Sequence, residues 1–159
     1  MNLMRSDDIG LKNKVYQVSQ TNIDKLQRVQ NSLARAVVGL RKYDHITDTL
    51  KRLHWLPIAS RITYKYALIT YKTITTGQPG YLSNLIKLNQ PVRQTRSSSH
   101  RLLHVDDNPP NSAFASHAFY FAAPTVWNSL PHTLIDTPFS LPVFKRHLKT
   151  YLFSKAFRS

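Results

Sequence analysis

Cysteine and glutamate are both absent from this 159-residue chain. Without cysteine there are no disulfides, no thiol nucleophile, no iron–sulfur cluster and no cysteine-rich zinc site, a composition that fits an intracellular protein. Without glutamate, all eight acids are aspartates, set against 22 Lys and Arg for a net charge of +14. Acids of either kind are missing from Lys51 to Val105, a third of the chain that carries nine Lys or Arg. A long apolar run is lacking too. The most apolar helical stretch, Ile62 to Ile74, contains Lys65 and Lys72 and falls short of the roughly 20 residues that cross a bilayer. Met1 to Gln20 is interrupted by Arg5, Asp7, Asp8, Lys12 and Lys14, so it has no uninterrupted apolar region of signal-peptide length. Secretion is not expected, and a nuclear or cytoplasmic location is.

What is present is enough for a core. Hydrophobic residues make up 42% of the chain, with two Trp, eight Tyr and seven Phe, and the length matches one ordinary domain. The unbroken positive field is a polyanion-binding signature. Lys and Arg that neutralise phosphates release condensed counterions and supply most sequence-independent affinity for nucleic acid; an anionic membrane surface is the rival.

Helical periodicity dominates. From Asn22 to Leu40 the residues Ile23, Leu26, Val29, Leu33, Val37 and Leu40 recur every three or four positions behind a Thr21-Asn22 pair suited to capping. That pattern predicts an amphipathic helix packing on its apolar face, with Lys25, Arg28 and Arg35 within about 80° on the other side, ending near Gly39. Thr47 or Asp48 is placed to cap a short helix through Trp55, stopped by Pro57. A third helix is expected from about Ser60 to Thr75. On it Ile62, Tyr66, Ile69 and Thr73 share one face, while Arg61, Lys65 and Lys72 fall within about 40° on another. The ends of this basic stripe are roughly 16 Å apart, long enough to follow several phosphates; a solvated helix face is the plainer reading.

Gly77, Pro79 and Gly80 punctuate the chain before a short helical run, Tyr81 to Leu88, and Pro91 to His100 reads as a loop. Its Arg93 and Arg96, with Arg101, could grip a phosphate backbone, a basic linker being the plainer reading. Leu102–Val105 and Phe114–Phe121 read as short strands of a hairpin across an Asp106–Asn111 turn. Ser140 to Phe157 is helical again, with Pro142 permitted in the first turn and Phe144, Leu148, Tyr151 and Leu152 on one face. Lys145, Arg146 and Lys149 project from the other. The expected fold is mainly α: a small helical bundle, a basic loop, a short β-hairpin and a C-terminal amphipathic helix.

Several blocks carry a family resemblance. Leu26-Gln27-Arg28-Val29-Gln30-Asn31, Val38-Gly39-Leu40-Arg41-Lys42-Tyr43-Asp44-His45-Ile46-Thr47 and Leu53-His54-Trp55-Leu56-Pro57-Ile58 resemble the segment after the polymerase palm in non-LTR retrotransposon reverse transcriptases. Gly80-Tyr81-Leu82-Ser83, Ala122-Ala123-Pro124 with Val126-Trp127-Asn128-Ser129-Leu130-Pro131, and Phe144-Lys145-Arg146 with Leu148-Lys149 are similar to the far C-terminal region of jockey and chicken-repeat type elements. The resemblance covers about Leu26 to Phe153, and residues 1–21 fall outside it as a variable segment. It implies a truncated piece of an RNA-directed DNA polymerase lacking palm and endonuclease: a thumb-like helical region over 22–88, a basic loop over 89–101 and a C-terminal extension over 102–159. Such a piece would bind RNA or DNA without performing chemistry. The alternative is a domesticated structural or interaction domain that binds an acidic protein or an anionic membrane.

No catalytic residue, metal or cofactor is expected, and no small-molecule substrate. Asp106-Asp107 looks superficially like the paired aspartates of a polymerase palm, but it lacks the preceding Tyr and runs into Asn108-Pro109-Pro110, where proline blocks normal strand pairing. Two-metal phosphoryl transfer needs closely set carboxylates; this pair reads as turn residues. His100, His104, Asp106 and Asp107 could donate to zinc, in a spacing that matches no common site. His45 with Asp44 or Asp48, and His132 with Asp136, offer acid–base pairs with no nucleophile placed beside them. Trp55 and Trp127 are expected to anchor helix ends, base stacking being the alternative. The backbone contacts are therefore assigned to Arg61, Lys65, Lys72, Arg93, Arg96, Arg101, Lys145, Arg146 and Lys149.

Overall fold

A computed structural model describes residues 20–89, 100–106 and 119–158, and over these the chain is mainly helical. Its elements are α1 (Gln20–Val38), α2 (Thr47–Arg52), α3 (Ile58–Thr76), α4 (Gly80–Ser83), α5 (Phe119–Asn128), α6 (His132–Ile135) and α7 (Leu141–Phe157). No helix among the described residues is long and apolar enough to cross a membrane.

The third helix is the spine. It packs against α1, α4, α5 and α7, so burial spreads beyond the single face expected for it: Ala67, Thr70, Tyr71 and Thr73 are buried, and Ile62, Tyr66 and Ile69 are half-buried. Pro57 stands at its N-terminal boundary in extended geometry, consistent with a ring that cannot donate within a helix. Gly77 ends it in left-handed geometry at φ 66°, its amide returning to the Thr73 carbonyl, a conformation glycine adopts without Cβ strain. Gly39 does the same after α1, at φ 71°.

Tyr71 of α3, Trp127 of α5 and Phe144 of α7 meet at the centre. Tyr71 stacks on Phe144 with ring centroids 3.9 Å apart, and Trp127 lies 6.3 Å from Tyr71 and 6.2 Å from Phe144. The Tyr71 hydroxyl donates to the Phe139 carbonyl. Around this trio Val126, Ile135, Leu148 and Leu152 close the core. Near the opposite end of α3, His54 stacks on Phe153 at 5.7 Å. Because 71 pairs with 144 while 54 pairs with 153, α3 and α7 run antiparallel.

Four expectations are corrected. The apolar arc of α1 does not pack: Leu26, Val29, Leu33 and Val37 are 51, 56, 55 and 63% exposed. The buried stripe is Ile23, Gln30 and Ala34, whose centre lies about 75° around the helix from that arc at 100° per residue. Small Ala34 and the amide of Gln30, which donates to the Leu56 carbonyl at 2.8 Å, bring α1 in by its side. Second, Thr21 and Asn22 sit inside α1, and α2 begins at Thr47 with no side-chain cap and stops at Arg52. Third, the helical run expected from Tyr81 to Leu88 is a single turn, Gly80–Ser83. Fourth, the second hairpin strand is replaced where it is described: Phe119–Phe121 opens α5, since Ala122, Ala123, Val126 and Trp127 repeat at helical spacing and are all buried. Leu103 instead forms an isolated antiparallel bridge with Leu88. The Asp106–Asn111 turn lies, beyond Asp106, outside the described residues.

These burials separate two kinds of apolar substitution. Phe144→Ala removes a fully buried ring stacked on Tyr71 and is expected to cost about 3–5 kcal/mol in urea unfolding. Val37→Ser, at the most exposed position of the α1 arc, should change stability by less than about 0.5 kcal/mol, whereas a packed arc would make it costly.

Candidate nucleic-acid interface

A groove of about 930 Å³ opens where α1, the 54–58 connection, α3 and α7 come together. Its walls include Leu26, Val29 and Leu33 from α1, Trp55 and Leu56 from the connection, and Ile62 and Tyr64 from α3. Three cations from two helices, Arg61, Lys65 and Lys149, line it, and no acidic residue among the described residues does. The antiparallel pairing of α3 with α7 causes this convergence. Stepping back along α3 from Tyr71 toward Lys65 and Arg61 corresponds to stepping forward along α7 from Phe144 toward Lys149.

The connection that floors the groove is held by a pair of glutamines. Gln30 donates to the Leu56 carbonyl, and Gln27 accepts from the Ile58 amide at 2.9 Å. The Gln27 amide group also donates to Gln30 Oε1 at 3.0 Å and to Asn31 Oδ1 at 2.8 Å. The Ile58 amide is one of the first-turn donors that a helix cannot satisfy internally, so a side chain of α1 completes the start of α3. These glutamines occur in the sequence blocks only as letters of a motif. The i, i+3 spacing of two amides next to an apolar arc was the available signal, but nothing local says which backbone they reach.

The nine assigned cations divide by position. Arg61, Lys65 and Lys149 share the groove. Lys72, Lys145 and Arg146 are exposed; Lys145 and Arg146 lie one turn before Lys149 on α7, and the helix pairing puts Lys72 level with that end. Each of the two antiparallel helices thus carries three of the assigned cations, all exposed. Arg101 is exposed but sits elsewhere, its backbone amide donating to Asp136 Oδ1 at 3.0 Å and its carbonyl accepting from Trp127 Nε1 at 2.8 Å. Arg93 and Arg96 lie outside the described residues. Among the described residues none of these seven cations takes part in an ion pair, whereas Lys51 reaches Asp48 at 3.6 Å.

The aromatic residues also sort themselves. Trp127 is 1% exposed and hydrogen-bonded, so it anchors α5 and has no face to offer a base. Trp55 is half-buried on the groove wall. Burial pushes the Tyr64 hydroxyl above its ordinary pKa; Tyr66 is raised for the same reason. Asp106 accepts from the Tyr120 hydroxyl at 3.0 Å, a bond that, with burial and the carboxylate's charge, raises the Tyr120 pKa.

A second cluster forms around Asp136, just past α6. His100 Nδ1 lies 2.7 Å from Asp136 Oδ2, His132 Nδ1 lies 4.0 Å from the same oxygen, and the two imidazoles stack with centroids 3.7 Å apart. Burial pushes the Asp136 carboxyl up, but the Arg101 amide, the His100 hydrogen bond and the charges of both histidines outweigh it and hold the pKa below its usual value. The chain from 100 to 106 is fixed further by Asn128, which accepts from the Leu103 amide at 2.9 Å and donates to the Leu103 carbonyl at 2.8 Å. His104 is not part of the cluster; it is exposed and donates its amide to the Lys87 carbonyl.

Compared with family models, curated proteins and solved structures, the chain has no match. The site's own chemistry therefore carries the functional argument.

The glutamine brace has a measurable consequence. Gln30→Leu replaces the amide with an apolar side chain of similar size and leaves the Leu56 carbonyl without its donor. A loss of roughly 1–3 kcal/mol in chemical unfolding is expected, a larger effect than for Ser32→Ala on the exposed side of the same helix.

Proposed function

We propose that this chain is a nucleic-acid-binding module related to the C-terminal, thumb and post-thumb region of non-LTR retrotransposon reverse transcriptases, holding RNA or DNA by its phosphate backbone without performing polymerisation. The observation that carries the reading is the convergence of Arg61 and Lys65 from α3 with Lys149 from α7 on one acid-free groove. Cations that already pair with carboxylates must surrender that pairing to bind phosphate; these three have no such partner among the described residues. Lys72, Lys145 and Arg146 extend the field along both helices, giving a duplex or folded RNA several phosphates to meet at once.

Chemistry belongs elsewhere in this reading. Transfer of a nucleotide to a growing 3′ end calls for carboxylates that jointly hold two divalent ions. Among the described residues Asp106 is engaged with Tyr120 and Asp136 with Arg101 and His100, at separate places in the fold. A nuclear or cytoplasmic location accompanies a partner of this kind.

The exposed arc of Leu26, Val29, Leu33 and Val37 favours a second reading, an interaction domain that covers this strip with an acidic protein or lays it on an anionic membrane. Contiguous apolar surface on a monomer commonly marks such contacts. The two readings part on salt and on partner.

Fluorescence anisotropy with a labelled RNA–DNA primer–template duplex separates them. Affinity should fall steeply between low and physiological salt, and the Arg61→Ala, Lys65→Ala, Lys149→Ala triple variant should reduce the slope of log K against log salt by ~2–3. Salt-indifferent binding, or flotation with anionic liposomes in the absence of duplex binding, would count for the interaction domain instead.

A further inference from the structure

We propose that His100, His132 and Asp136 form a binding site for a divalent transition-metal ion of the zinc type. The ligand atoms of these three side chains all lie within 4.8 Å of one another. The site is independent of the groove and of the nucleic-acid reading, since none of the three residues lines that groove.

Two imidazole nitrogens and one carboxylate oxygen make a donor set suited to zinc, with nitrogen content that disfavours calcium and magnesium. Donors at about 2.05 Å from a tetrahedral ion are about 3.3 Å apart. The distances here, 2.7 Å from His100 Nδ1 to Asp136 Oδ2 and 4.0 Å from His132 Nδ1 to that oxygen, straddle this value. Closing the set around an ion needs His100 to move away from the carboxylate by a fraction of an ångström and His132 to move in, with the two rings turning out of their 19° near-parallel stack. Three protein ligands leave a coordination position for water.

The supports are in place before any ion arrives. His132 opens α6 and Asp136 follows one turn later, the i, i+4 spacing that puts two side chains on one helix face. Leu134 and Ile135 between them are buried and fix that turn. Asp136 Oδ1 accepts from the Arg101 amide, which orients the carboxylate and leaves Oδ2 directed at the histidines, an outer contact of the sort that sets ligand geometry at metal sites. His100, 36 residues away in sequence, is brought in by the anchoring of Arg101 to Trp127 and of Leu103 to Asn128. The three side chains remain 27, 56 and 31% exposed, so an ion can enter. The ion would replace the His100–Asp136 hydrogen bond and would cross-link the 100–106 segment to α6.

A hydrogen-bonded latch without metal is the competing account, and His132 distinguishes the two. It lies beyond hydrogen-bond range of Asp136, so the latch does not need it and the metal site does. Isothermal titration of zinc chloride into the chelator-treated full chain should show one equivalent bound. His132→Ala should weaken that binding at least ~tenfold, and His104→Ala, at the exposed neighbouring histidine, should leave it unchanged. Cobalt(II) gives a second readout: the intense visible bands of a four-coordinate site should develop with the parent chain and be lost with His132→Ala. Absence of stoichiometric binding, equal affinities in the two histidine variants, or cobalt bands that survive His132→Ala would overturn the proposal.

Discussion

Tyr71 is where the packing of this chain converges. Its ring stacks on Phe144 at 3.9 Å, lies tilted by 33° against Trp127 at 6.3 Å, and its hydroxyl donates to the Phe139 carbonyl ahead of α7. Aromatic pairs of this kind add about 0.5–1.5 kcal/mol each beyond their burial, and three helices contribute one ring apiece. With α3, α5 and α7 joined there and His54 stacked on Phe153 near the other end of α3, the direction of α7 along α3 is set. That direction places Lys149 beside Arg61 and Lys65. The electrostatic feature thus follows from an apolar one: cations more than 80 residues apart in sequence share a groove because Tyr71 stacks on Phe144 and His54 on Phe153.

The cost of this arrangement shows on the spine itself. Helix α3 is surrounded on several sides, and the Thr70 and Thr73 hydroxyls are buried with no hydrogen-bond partner among the described residues, each a desolvated polar group. On α1 the reverse holds. A glutamine ladder, Ile23 and Ala34 dock the helix by a narrow stripe, while Leu26, Val29, Leu33 and Val37 stay largely in solvent, the first three of them along the groove. A strip of apolar surface flanked by unpaired cations suits a partner with both apolar faces and negative charge, a description that nucleotides and amphipathic acidic segments both meet.

Helix existence was legible from periodicity, and so were the ends of α3 and α7, where Pro57, Gly77 and Pro142 act through backbone geometry that any context respects. The orientation of α1 was not. Its hydrophobic arc is a valid local pattern, but which side faces the molecule was decided by amide hydrogen bonds to a segment 26 to 31 residues away. The Phe119–Phe121 stretch misled for a similar reason: short aromatic alternation fits a strand until Ala122, Ala123, Val126 and Trp127 extend it with helical spacing. Of the charged residues, the α3 stripe was visible as a stripe, while its meeting with Lys149 required the tertiary pairing. The His100–His132–Asp136 cluster was half visible, as the His132–Asp136 pair, and its third member was hidden by sequence distance.

The central claim is that one acid-free, two-helix surface holds nucleic acid by its phosphates. Lysine reactivity toward an acetylating reagent, read residue by residue by mass spectrometry with and without a primer–template duplex at low salt, tests it directly. Lys65 and Lys149 should lose reactivity together and regain it as salt is raised, while Lys25 on the outer side of α1 and Lys155 near the end of α7 stay reactive. Protection spread evenly over all the lysines, or protection that spares Lys65 and Lys149, would contradict the account.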